Sequence, residues 1–379
     1  MKIRDARALP LSGMPADGWT SRFGAEENIH TLIEIISDDG VTGVGSVYSS
    51  GAQVVPALEL LKPLLIGGSA VDPAATSERL HQQTFWQGRG GSVTHTISGI
   101  DIALWDLFGK VCRQPISRLL GGRHRDRIRP YGSLLMREPS EMKDRLHEAM
   151  GRGFRAFKIG WGPFGRHDAR TDRAIVAAAR DAIGPDADLM VDAGGSDAFW
   201  QHGFKWALGT ARMLADYGVG WFEEPLRPDD LEGYVQLTAQ SPVPIAAGEV
   251  LCRRQEFRTW IERRAVDYLQ PDVTRVGGMS EQHRIAQVAD DHAITVIPHG
   301  WNTAVGLAAD LQLAAAAGSA RFVEYLTPAP YIDDLLEEPL AINPDGTLAI
   351  PEAPGLGLRW DLDGIARHSH GRTLTPSTL

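Results

Sequence analysis

From residue 129 onward, short apolar runs alternate with longer segments of helical periodicity, and this alternation is the feature that most restricts the fold. Such a pattern forms a parallel sheet, because each helix carries the chain back to the edge where the previous strand began. Eight runs with helices between them predict a parallel β/α barrel. The predicted strands are residues 129–135, 155–160, 188–193, 218–224, 243–249, 265–272, 293–299 and 320–326.

The first third of the chain has a different pattern. Residues 28–48 alternate apolar and polar side chains on either side of Asp-Asp-Gly, which predicts a β-hairpin. Helical periodicity follows and continues to residue 112. This region therefore forms an α+β unit that precedes the barrel. After the eighth predicted strand the pattern is again that of a hairpin, and we expect this segment to rejoin the N-terminal unit.

Composition and charge exclude several classes of protein. Of the 379 residues, 43% are hydrophobic and 23% are charged, which is typical of a soluble globular protein. The formal net charge of −10 argues against a nucleic acid or an anionic membrane as partner. The first residues lack the apolar core of a signal peptide, and no apolar run approaches roughly 18 residues, so we expect a cytoplasmic protein. Cys112 and Cys252 are expected to pack as small apolar residues.

Most of the predicted strands end on an ionisable residue. In a parallel barrel the carboxyl ends of all strands converge on one mouth, where active sites are built. Successive members of the set lie 23 to 34 residues apart, which is about one β/α unit. In chain order they are Lys158, Asp192, Glu223 with Glu224, Glu249, Asp272, His299 and Glu324.

Three acids on consecutive strands, Asp192, Glu223 and Glu249, predict a metal site. Carboxylates held close together repel one another unless a cation lies between them. An all-oxygen set without Cys or His suits Mg²⁺, or Mn²⁺, rather than zinc. One glutamate of Phe-Glu-Glu-Pro-Leu is the ligand, and strand alternation directs the other to the opposite face, onto a basic partner. Periodicity alone does not decide between Glu223 and Glu224.

The remaining members suit acid–base chemistry. Lys158 is placed on one side of the metal, and a site cation lowers the pKa of a neighbouring lysine. Asp272 beside His299 fixes the tautomer of the imidazole and raises its basicity. Glu324, if protonated, could donate a hydrogen bond to a developing oxyanion. This set is suited to removing the proton α to a carboxylate, with the metal stabilising the resulting enediolate.

Each residue also has a purely structural explanation when it is considered alone. A strand-end lysine can form a salt bridge, an aspartate can cap a helix, a histidine can be satisfied in a loop, and a buried glutamate can hold a structural hydrogen bond. The segment Gly-Arg-Gly-Gly-Ser at 88–92 lacks the lysine of a phosphate-binding loop and is interpreted as a flexible turn. The joint occurrence of seven ionisable groups at strand ends favours an active site.

Six sequence motifs together resemble the mandelate racemase subgroup of the enolase superfamily, and the resemblance covers nearly the whole chain. They are SGIDIALWDLFGK…PISRLLGG (98–122), VDAGG, WFEEPL, AAGE, QPDVTRVGG and PHGWN. The resemblance implies a (β/α)7β barrel, a modified TIM barrel, beneath an α+β capping domain. The implied regions are the capping domain at 1–125, the barrel at 126–328, and a C-terminal segment at 329–379 that returns to the capping domain.

The resemblance also implies roles for the site residues. Sites of this superfamily pair a lysine or histidine base with Mg²⁺. Magnesium is expected on Asp192, Glu223 and Glu249, with the first glutamate of the pair as the ligand. The dyad of Asp272 and His299 matches the sixth and seventh strands. Glu324 matches the acid that hydrogen-bonds the substrate carboxylate on the eighth strand.

The chain departs from the subgroup at two positions. The subgroup commonly carries Lys-x-Lys on the second strand, but here Ala156 stands where the first lysine would be and Lys158 is retained. Because the missing lysine normally lowers the pKa of its neighbour, we expect Lys158 to be a poorer base than usual. Gly194 replaces a residue that is usually Asn, which removes a polar contact. Both changes count against racemisation by two bases.

The predicted activity is a carbon–oxygen lyase: a Mg²⁺-dependent dehydratase that converts an acid sugar, an aldonate or an aldarate, into its 2-keto-3-deoxy product. Lys158 or His299 removes the α-proton, and His299 protonates the departing hydroxyl. One alternative is a racemase or epimerase at the α-carbon, with Lys158 and His299 each serving one face. A third possibility, from another class, is a non-catalytic barrel that binds a metal or a sugar acid.

The resemblance implies that substrate choice depends largely on loops of the capping domain, here near residues 14–26 and 46–54. The candidate contacts from these loops and from the barrel mouth are Arg22, Ser49, Ser50, Trp161 and Trp301. Members of the resembling family are commonly dimers or octamers, so the resemblance implies a homo-oligomer.

Overall fold

The computed structural model describes residues 1–12, 29–326 and 329–378. Its N-terminal unit is an antiparallel sheet packed against helices. The sheet has the strand order β1 (Ile3–Pro10), β2 (Thr31–Ser37) and β3 (Thr42–Val47). The helices of this unit are α1 (Gly51–Leu65), α2 (Pro73–Gln83), α3 (Gly91–Cys112) and the single turn α4 (Ile116–Leu119).

The predicted hairpin is confirmed and packs tightly against α3. Strands β2 and β3 pair with Thr31 opposite Val47, and Gly40 in the turn has φ of 81°, which glycine adopts without steric cost. Helix α3 approaches β3 so closely that a Cβ atom on Gly45 would lie 1.8 Å from the carbonyl oxygen of Gly99. Glycine at this position therefore allows the helix to lie directly on the sheet.

All eight predicted parallel strands are present among the described residues, and most of them are shorter than predicted. They are β4 (Arg127–Leu135), β5 (Ala156–Gly160), β6 (Asp188–Asp192), β7 (Val219–Glu223), β8 (Ile245–Ala247), β9 (Tyr268–Leu269), β10 (Thr295–Val296) and β11 (Phe322–Leu326). Consecutive strands from β4 to β10 pair in parallel, and β11 pairs with β4. The sheet therefore curls into the predicted (β/α)7β barrel.

Helices connect these strands on the outside of the barrel. They are α5 (Pro139–Gly151), α6 (Ala169–Ile183), α7 (Phe204–Ala215), α8 (Leu231–Gln240), α9 (Arg253–Glu262), α10 (Met279–Asp291) and α11 (Ala304–Ala316). Helix α6 shows why the sequence favours a helix here. The side chain of Asp168 caps its first turn by accepting a hydrogen bond from the Thr171 amide, and its apolar face, including Ile175 and Ala179, is buried.

The interior of the barrel contains an apolar layer that lies directly beneath the ionisable residues. Its members are Tyr131, Ala156, Met190, Trp221, Ala246 and Ile297. Ala156, Met190, Trp221 and Ile297 each precede a predicted site residue by two positions. Since strand side chains on one face recur every second residue, the site forms the next layer toward the mouth of the barrel.

The N-terminal unit is fixed to the barrel through α3 and α11. Helix α11 is apolar almost all round and is buried along nearly its whole length, as expected for a helix that is covered on several sides. Thr303, which precedes α11, hydrogen-bonds Ser46 of β3 at 2.9 Å. Asp101 of α3 accepts a 2.9 Å hydrogen bond from the Ser280 amide in the first turn of α10. These contacts place the end of β3 over the barrel mouth.

The C-terminal segment returns to the N-terminal unit. It contains α12 (Pro330–Asp333), β12 (Leu348–Ala349) and α13 (Leu362–His368), and β12 pairs antiparallel with the start of β4. Farther on, the Thr375 amide donates a 2.5 Å hydrogen bond to Glu34 of β2. The exact domain boundaries drawn from the sequence stay predictions. Among the described helices, none combines the length and the apolar character that a membrane span requires.

Candidate active site

The predicted site residues surround one cavity of about 400 Å³ at the mouth of the barrel. Lys158, Asp192, Glu249, His299 and Glu324 line it directly. Glu223 and Asp272 lie immediately behind this lining, in contact with Lys158 and His299. The structure therefore brings all seven residues together. Lys158 and Glu324 occupy the middle of β5 and β11 rather than the strand ends that the sequence predicted.

Three acids form a compact buried cluster. One carboxylate oxygen each of Asp192, Glu223 and Glu249 lie within 4.8 Å of one another. Asp192 and Glu223 end adjacent strands and are paired in register, and Glu249 lies just beyond β8. Burial, and then the charge of Glu223, raise the pKa of Asp192 well above its usual value. This acidic cluster has the geometry of an oxygen-ligand cation site.

Two side chains that sequence reasoning missed orient Glu223. The indole nitrogen of Trp221 donates a 2.9 Å hydrogen bond to Oε2 of Glu223, and Nε2 of Gln270 donates a 2.6 Å hydrogen bond to the same oxygen. Trp221 precedes Glu223 by two residues, and Gln270 precedes Asp272 by two. The period of two along a strand was therefore a signal that could have found both.

Asp192 is held by a third unpredicted donor. The indole nitrogen of Trp161 lies 3.1 Å from Oδ2 of Asp192, and the Gly194 amide donates a 2.7 Å hydrogen bond to Oδ1. Gly194 has φ of 63°, and a Cβ atom there would lie 2.8 Å from the Trp161 ring. Glycine at position 194 therefore leaves room for the Trp161 ring, whose indole nitrogen donates to Asp192.

Within the described part of the chain, Glu224 binds Ser196 rather than the basic partner that was predicted. It has φ of 41°, and its carboxylate accepts hydrogen bonds from the hydroxyl and the amide of Ser196. Burial, together with the charges of Glu249 and Asp192, raises the pKa of Glu224 well above its usual value. The acidic cluster therefore has a fourth carboxylate close behind it.

Lys158 lies among the acids. Its Nζ atom is 2.5 Å from Oε1 of Glu223, 3.0 Å from Oε1 of Glu324 and 3.8 Å from Oδ2 of Asp192. Burial lowers the pKa of Lys158, but these carboxylates outweigh it, and the pKa lies well above its usual value. A divalent cation bound to the same carboxylates would act in the opposite direction, since its charge lowers the pKa of a neighbouring lysine. Ala156 lies below Lys158 in the apolar layer.

The predicted dyad is present on the opposite wall. Nδ1 of His299 donates a 2.8 Å hydrogen bond to Oδ2 of Asp272, and Nε2 lies 3.3 Å from Oε2 of Glu249. Burial lowers the pKa of His299, but Glu249 and Asp272 raise it to about 10. Asp272 is also buried, yet the hydrogen bond and charge of His299 keep its pKa below the usual value. A cation within the acidic cluster would offset the contribution of Glu249.

The surroundings of Glu324 favour its anionic form over the protonated donor considered from the sequence. Burial raises its pKa, but the charges of Lys158 and His299 outweigh this and hold the pKa at about 2. Its Oε2 atom accepts a 2.7 Å hydrogen bond from the Gly300 amide. Glu324 is therefore placed to hold Lys158 in position beside the cavity.

The outer lining of the cavity combines the barrel with the N-terminal unit. Tyr48, which follows β3, lines it together with the barrel residues Trp161, Arg275 and Trp301. Ser49 does not line it, because its hydroxyl hydrogen-bonds Nδ1 of His95 at 2.8 Å, and Ser50 is likewise outside the lining. Arg22, and the whole of its predicted loop 14–26, lie outside the described residues. The sequence analysis singled out neither residue, although Tyr48 lies in the predicted loop 46–54 and Arg275 lies within the QPDVTRVGG motif.

A curled parallel barrel with a buried carboxylate cluster and an Asp–His dyad at its mouth defines an enolase-type enzyme. Family models agree: residues 141–364 match the enolase C-terminal domain-like family. Residues 18–121 match the mandelate racemase / muconate lactonizing enzyme N-terminal domain. The chain belongs to the mandelate racemase / muconate lactonizing enzyme family of the enolase superfamily, which confirms the resemblance.

Individual proteins support this assignment. The D-galactarolactone cycloisomerase of Agrobacterium fabrum is 36% identical over 96% of this chain and 98% of its own length. The D-xylonate dehydratase of Haloferax volcanii is 34% identical over 90% and 86%. The crystal structure of a Streptomyces coelicolor racemase with bound magnesium has a TM-score of 0.85 and 28% identity, covering 97% of this chain and 99% of that one. The dehydratase relative confirms the predicted enzyme class, a hydro-lyase. The cycloisomerase and the racemase correspond to the predicted alternative, an isomerase.

Proposed function

We propose that this enzyme is a Mg²⁺-dependent dehydratase of an acid sugar. The observation that carries the proposal is the placement of His299, held by Asp272, and Lys158, held by Glu324, around the same cavity as the acidic cluster. Lys158 and His299, which can both exchange protons, thus lie on two sides of the cavity. Both are next to the acidic cluster, where a bound cation would stabilise negative charge on the substrate. The dehydratase and cycloisomerase relatives support a small sugar acid as the substrate class.

The acidic cluster fits a divalent cation on this chain's own geometry. Asp192, Glu223 and Glu249 are all buried, and like charges this close raise the free energy of the site unless positive charge compensates them. Their hard oxygen donors suit Mg²⁺, with Mn²⁺ as the alternative. When bound, the cation supplies positive charge that stabilises the carboxylate of the substrate as its α-proton leaves.

The protein residues carry out a β-elimination. A base takes the proton from C2, the electrons of that C–H bond form the enediolate, and the C3–O bond then breaks. Nε2 of His299 delivers a proton to the departing hydroxyl, so that water leaves. Asp272 fixes Nδ1 of His299 as the donor nitrogen, which directs Nε2 toward the cavity. The resulting enol takes a proton at C3 and becomes the 2-keto-3-deoxy acid.

Two divisions of the proton transfers fit this arrangement. In the first, Lys158 removes the α-proton and His299 protonates the hydroxyl. In the second, His299 performs both transfers and Lys158 binds the substrate carboxylate. The variant Lys158→Met separates them, because loss of α-proton exchange supports the first and retained exchange with a raised KM supports the second.

The experiment that tests the function is proton NMR in D₂O with Mg²⁺ and a panel of aldonic and aldaric acids. Dehydration is shown by loss of the α-proton signal and by a new 3-deoxy methylene that carries deuterium. Exchange with a new diastereomer and no lost hydroxyl would show the racemase or epimerase alternative. Binding of a sugar acid without any α-proton exchange would show a non-catalytic barrel.

A second candidate is elimination with ring opening, which the cycloisomerase relative favours. If the oxygen on C3 belongs to a lactone or an anhydro ring, breaking the same C–O bond opens the ring and no water is lost. The same residues would carry the proton transfers. Adding lactones and anhydro acids to the NMR panel distinguishes this isomerisation from dehydration by the mass of the product.

The oligomeric state stays a prediction. We propose a homo-oligomer, a dimer or an octamer, on the strength of the family alone. Light scattering of the purified protein measures its mass in solution, and a monomer would contradict the proposal.

A further inference from the structure

We propose that Arg275 binds the second carboxylate of the substrate, so that the enzyme selects an aldarate, which is acidic at both ends, over the corresponding aldonate. This inference rests on the proposed function, because it concerns the same cavity. It adds a subsite for the end of the substrate that does not react.

The backbone holds Arg275 firmly at the cavity wall. Its amide donates a 3.0 Å hydrogen bond to the carbonyl of Asp272, and its own carbonyl lies 3.8 Å from Sγ of Cys252. The guanidinium carbon lies 5.1 Å from the centroid of the Tyr48 ring, which is the distance of a cation–π contact. Arg275 is therefore preorganised by packing against the N-terminal unit.

The guanidinium has hydrogen-bonding capacity that the protein does not use. Nε of Arg275 is buried and has no hydrogen-bond partner, and no carboxylate within the described residues lies within ion-pair distance of the side chain. A buried donor without a partner raises the free energy of the protein, and an anionic ligand relieves this. Lys158 differs, because Glu223 and Glu324 already neutralise it.

The position of Arg275 fits the far end of a substrate. Tyr48 contacts both groups: its ring centroid is 6.4 Å from the ring of His299 and 5.1 Å from the guanidinium carbon of Arg275. A substrate whose reacting end lies between Lys158 and His299 can therefore reach Arg275 with its other end without leaving the cavity. Both side chains line the cavity.

The charge and the hydrogen-bonding geometry of the guanidinium determine which substrate Arg275 binds more tightly. A carboxylate accepts two parallel charge-assisted hydrogen bonds from a guanidinium, which are roughly twice as strong as neutral ones. The terminal hydroxymethyl group of an aldonate carries no negative charge and accepts hydrogen bonds through a single oxygen, so it interacts more weakly with the guanidinium. Two acids of the same stereochemistry that differ only at this carbon isolate the contribution of Arg275.

The test compares kcat/KM for galactarate with galactonate, and for glucarate with gluconate, in the presence of Mg²⁺. We expect the wild type to prefer the aldarate of the pair that it accepts. The variant R275M should lower kcat/KM for the aldarate by roughly 100-fold and for the aldonate by less than about fivefold. R275K, which keeps the charge but not the planar fork, should lose roughly tenfold on the aldarate.

The matched control is R258M, because Arg258 is exposed on α9 and pairs with Glu262 away from the cavity. R258M should leave kcat/KM unchanged for both the aldarate and the aldonate. Equal losses on both acids in R275M, or a wild type without preference for the aldarate, would overturn the inference while dehydration itself remained.

Calorimetric titration of the same four acids separates this inference from the proposed function. If no acid is converted, but the aldarate binds more tightly and R275M removes the difference, then Arg275 has the proposed role and the dehydratase proposal fails. Equal binding of aldarate and aldonate by the wild type would overturn the role of Arg275.

Discussion

The two walls of the cavity are built in different ways. The wall formed by Asp192, Glu223 and Glu249 comes from three consecutive barrel strands, and much of its support comes from the same strands or from residues next to them. The opposite wall joins His299 of the barrel to Tyr48 of the N-terminal unit. The residues proposed to carry out the reaction therefore lie within the barrel, whereas the proposed substrate selection involves the contact between the barrel and the N-terminal unit.

This difference predicts which residues can be substituted without loss of catalysis and which cannot. A change in the acidic wall alters a cluster of mutually dependent buried charges, so its effect on catalysis is large. A change at the contact with the N-terminal unit alters fit at the far end of the substrate and leaves the proton transfers in place.

The largest effect is expected at the acidic wall. Glu223→Gln removes a carboxylate of the cluster and the 2.5 Å partner of Lys158, so kcat/KM should fall by roughly 10³- to 10⁵-fold and Mg²⁺ affinity should fall with it. Steady-state kinetics and calorimetric titration of Mg²⁺ measure both. Chelation of the metal from the wild type should abolish turnover, and added Mg²⁺ should restore it.

Glu262→Gln, at an exposed acid of α9, is the control for this change and should leave both quantities unaltered. Full activity of the Glu223→Gln variant would show that the acidic cluster is not the centre of the reaction.

The next largest effect is expected at the dyad on the opposite wall. His299→Asn removes the proton donor to the departing hydroxyl, so dehydration should slow by roughly 10²- to 10⁴-fold. The rate of 2-keto product formation measures this. His370→Asn, at an exposed histidine near the C-terminus, should have no effect. An unchanged dehydration rate in His299→Asn would exclude its proposed role.

A smaller effect is expected where an indole supports the acidic wall. Trp161→Phe keeps the ring against Gly194 but removes the 3.1 Å donor to Asp192. Loss of a hydrogen bond that orients a metal ligand typically weakens metal binding by 10- to 100-fold, so the Kd for Mg²⁺ should rise by roughly that factor.

Trp86→Phe is the matched control, because Trp86 is 98% exposed. A Kd for Mg²⁺ in Trp161→Phe that equals the wild-type value would show that the hydrogen bonds from Trp221, Gln270 and Gly194 suffice to orient the acids.

The smallest effect on catalysis is expected at the contact that holds the two units together. Burial raises the pKa of Asp101 to about 7, against the lowering effect of its hydrogen bonds from Ser280. The folded protein therefore holds a proton that the unfolded chain releases near pH 4. The free energy of unfolding should fall as the pH rises from about 4 to about 7, by up to roughly 1.4 kcal/mol per pH unit from this group.

Denaturant unfolding of the wild type and Asp101→Asn at pH 5 and pH 7 measures this contribution. The difference in stability between the two proteins should shift with pH, whereas Asp290→Asn, at an exposed acid of α10, should follow the wild type. Parallel pH dependence of all three proteins would show that Asp101 is ionised throughout.

The sequence predicted the barrel well because its signals are local. The eight strands and the helices between them follow from periodicity, and the seven ionisable residues follow from their positions near the strand ends. The predicted strands end at residues 160 and 326, as the observed strands do, but Lys158 and Glu324 lie two residues before those ends rather than at them. Periodicity identifies the strand face on which a side chain lies, but not its depth below the mouth of the barrel.

The partners of the site residues were harder to predict. Trp221 and Gln270 each lie two positions before a predicted site residue, so the period of two along a strand could have identified them. The pairing of Trp161 with Gly194 did not follow from any local rule, because the indole reaches Asp192 from the neighbouring strand. The basic partner expected for Glu224 was wrong because the backbone at this residue turns its carboxylate toward Ser196.

By itself, the sequence determined the architecture, the identity of the charged groups and their convergence at one mouth, since alternation along a strand and repetition of β/α units fix these. Only the tertiary structure decided which neighbours set the pKa of Lys158 and His299, and which wall Tyr48 and Arg275 complete. Electrostatic interaction and packing depend on distances in space, and residues far apart in the chain acquire those distances only when the two units fold against each other.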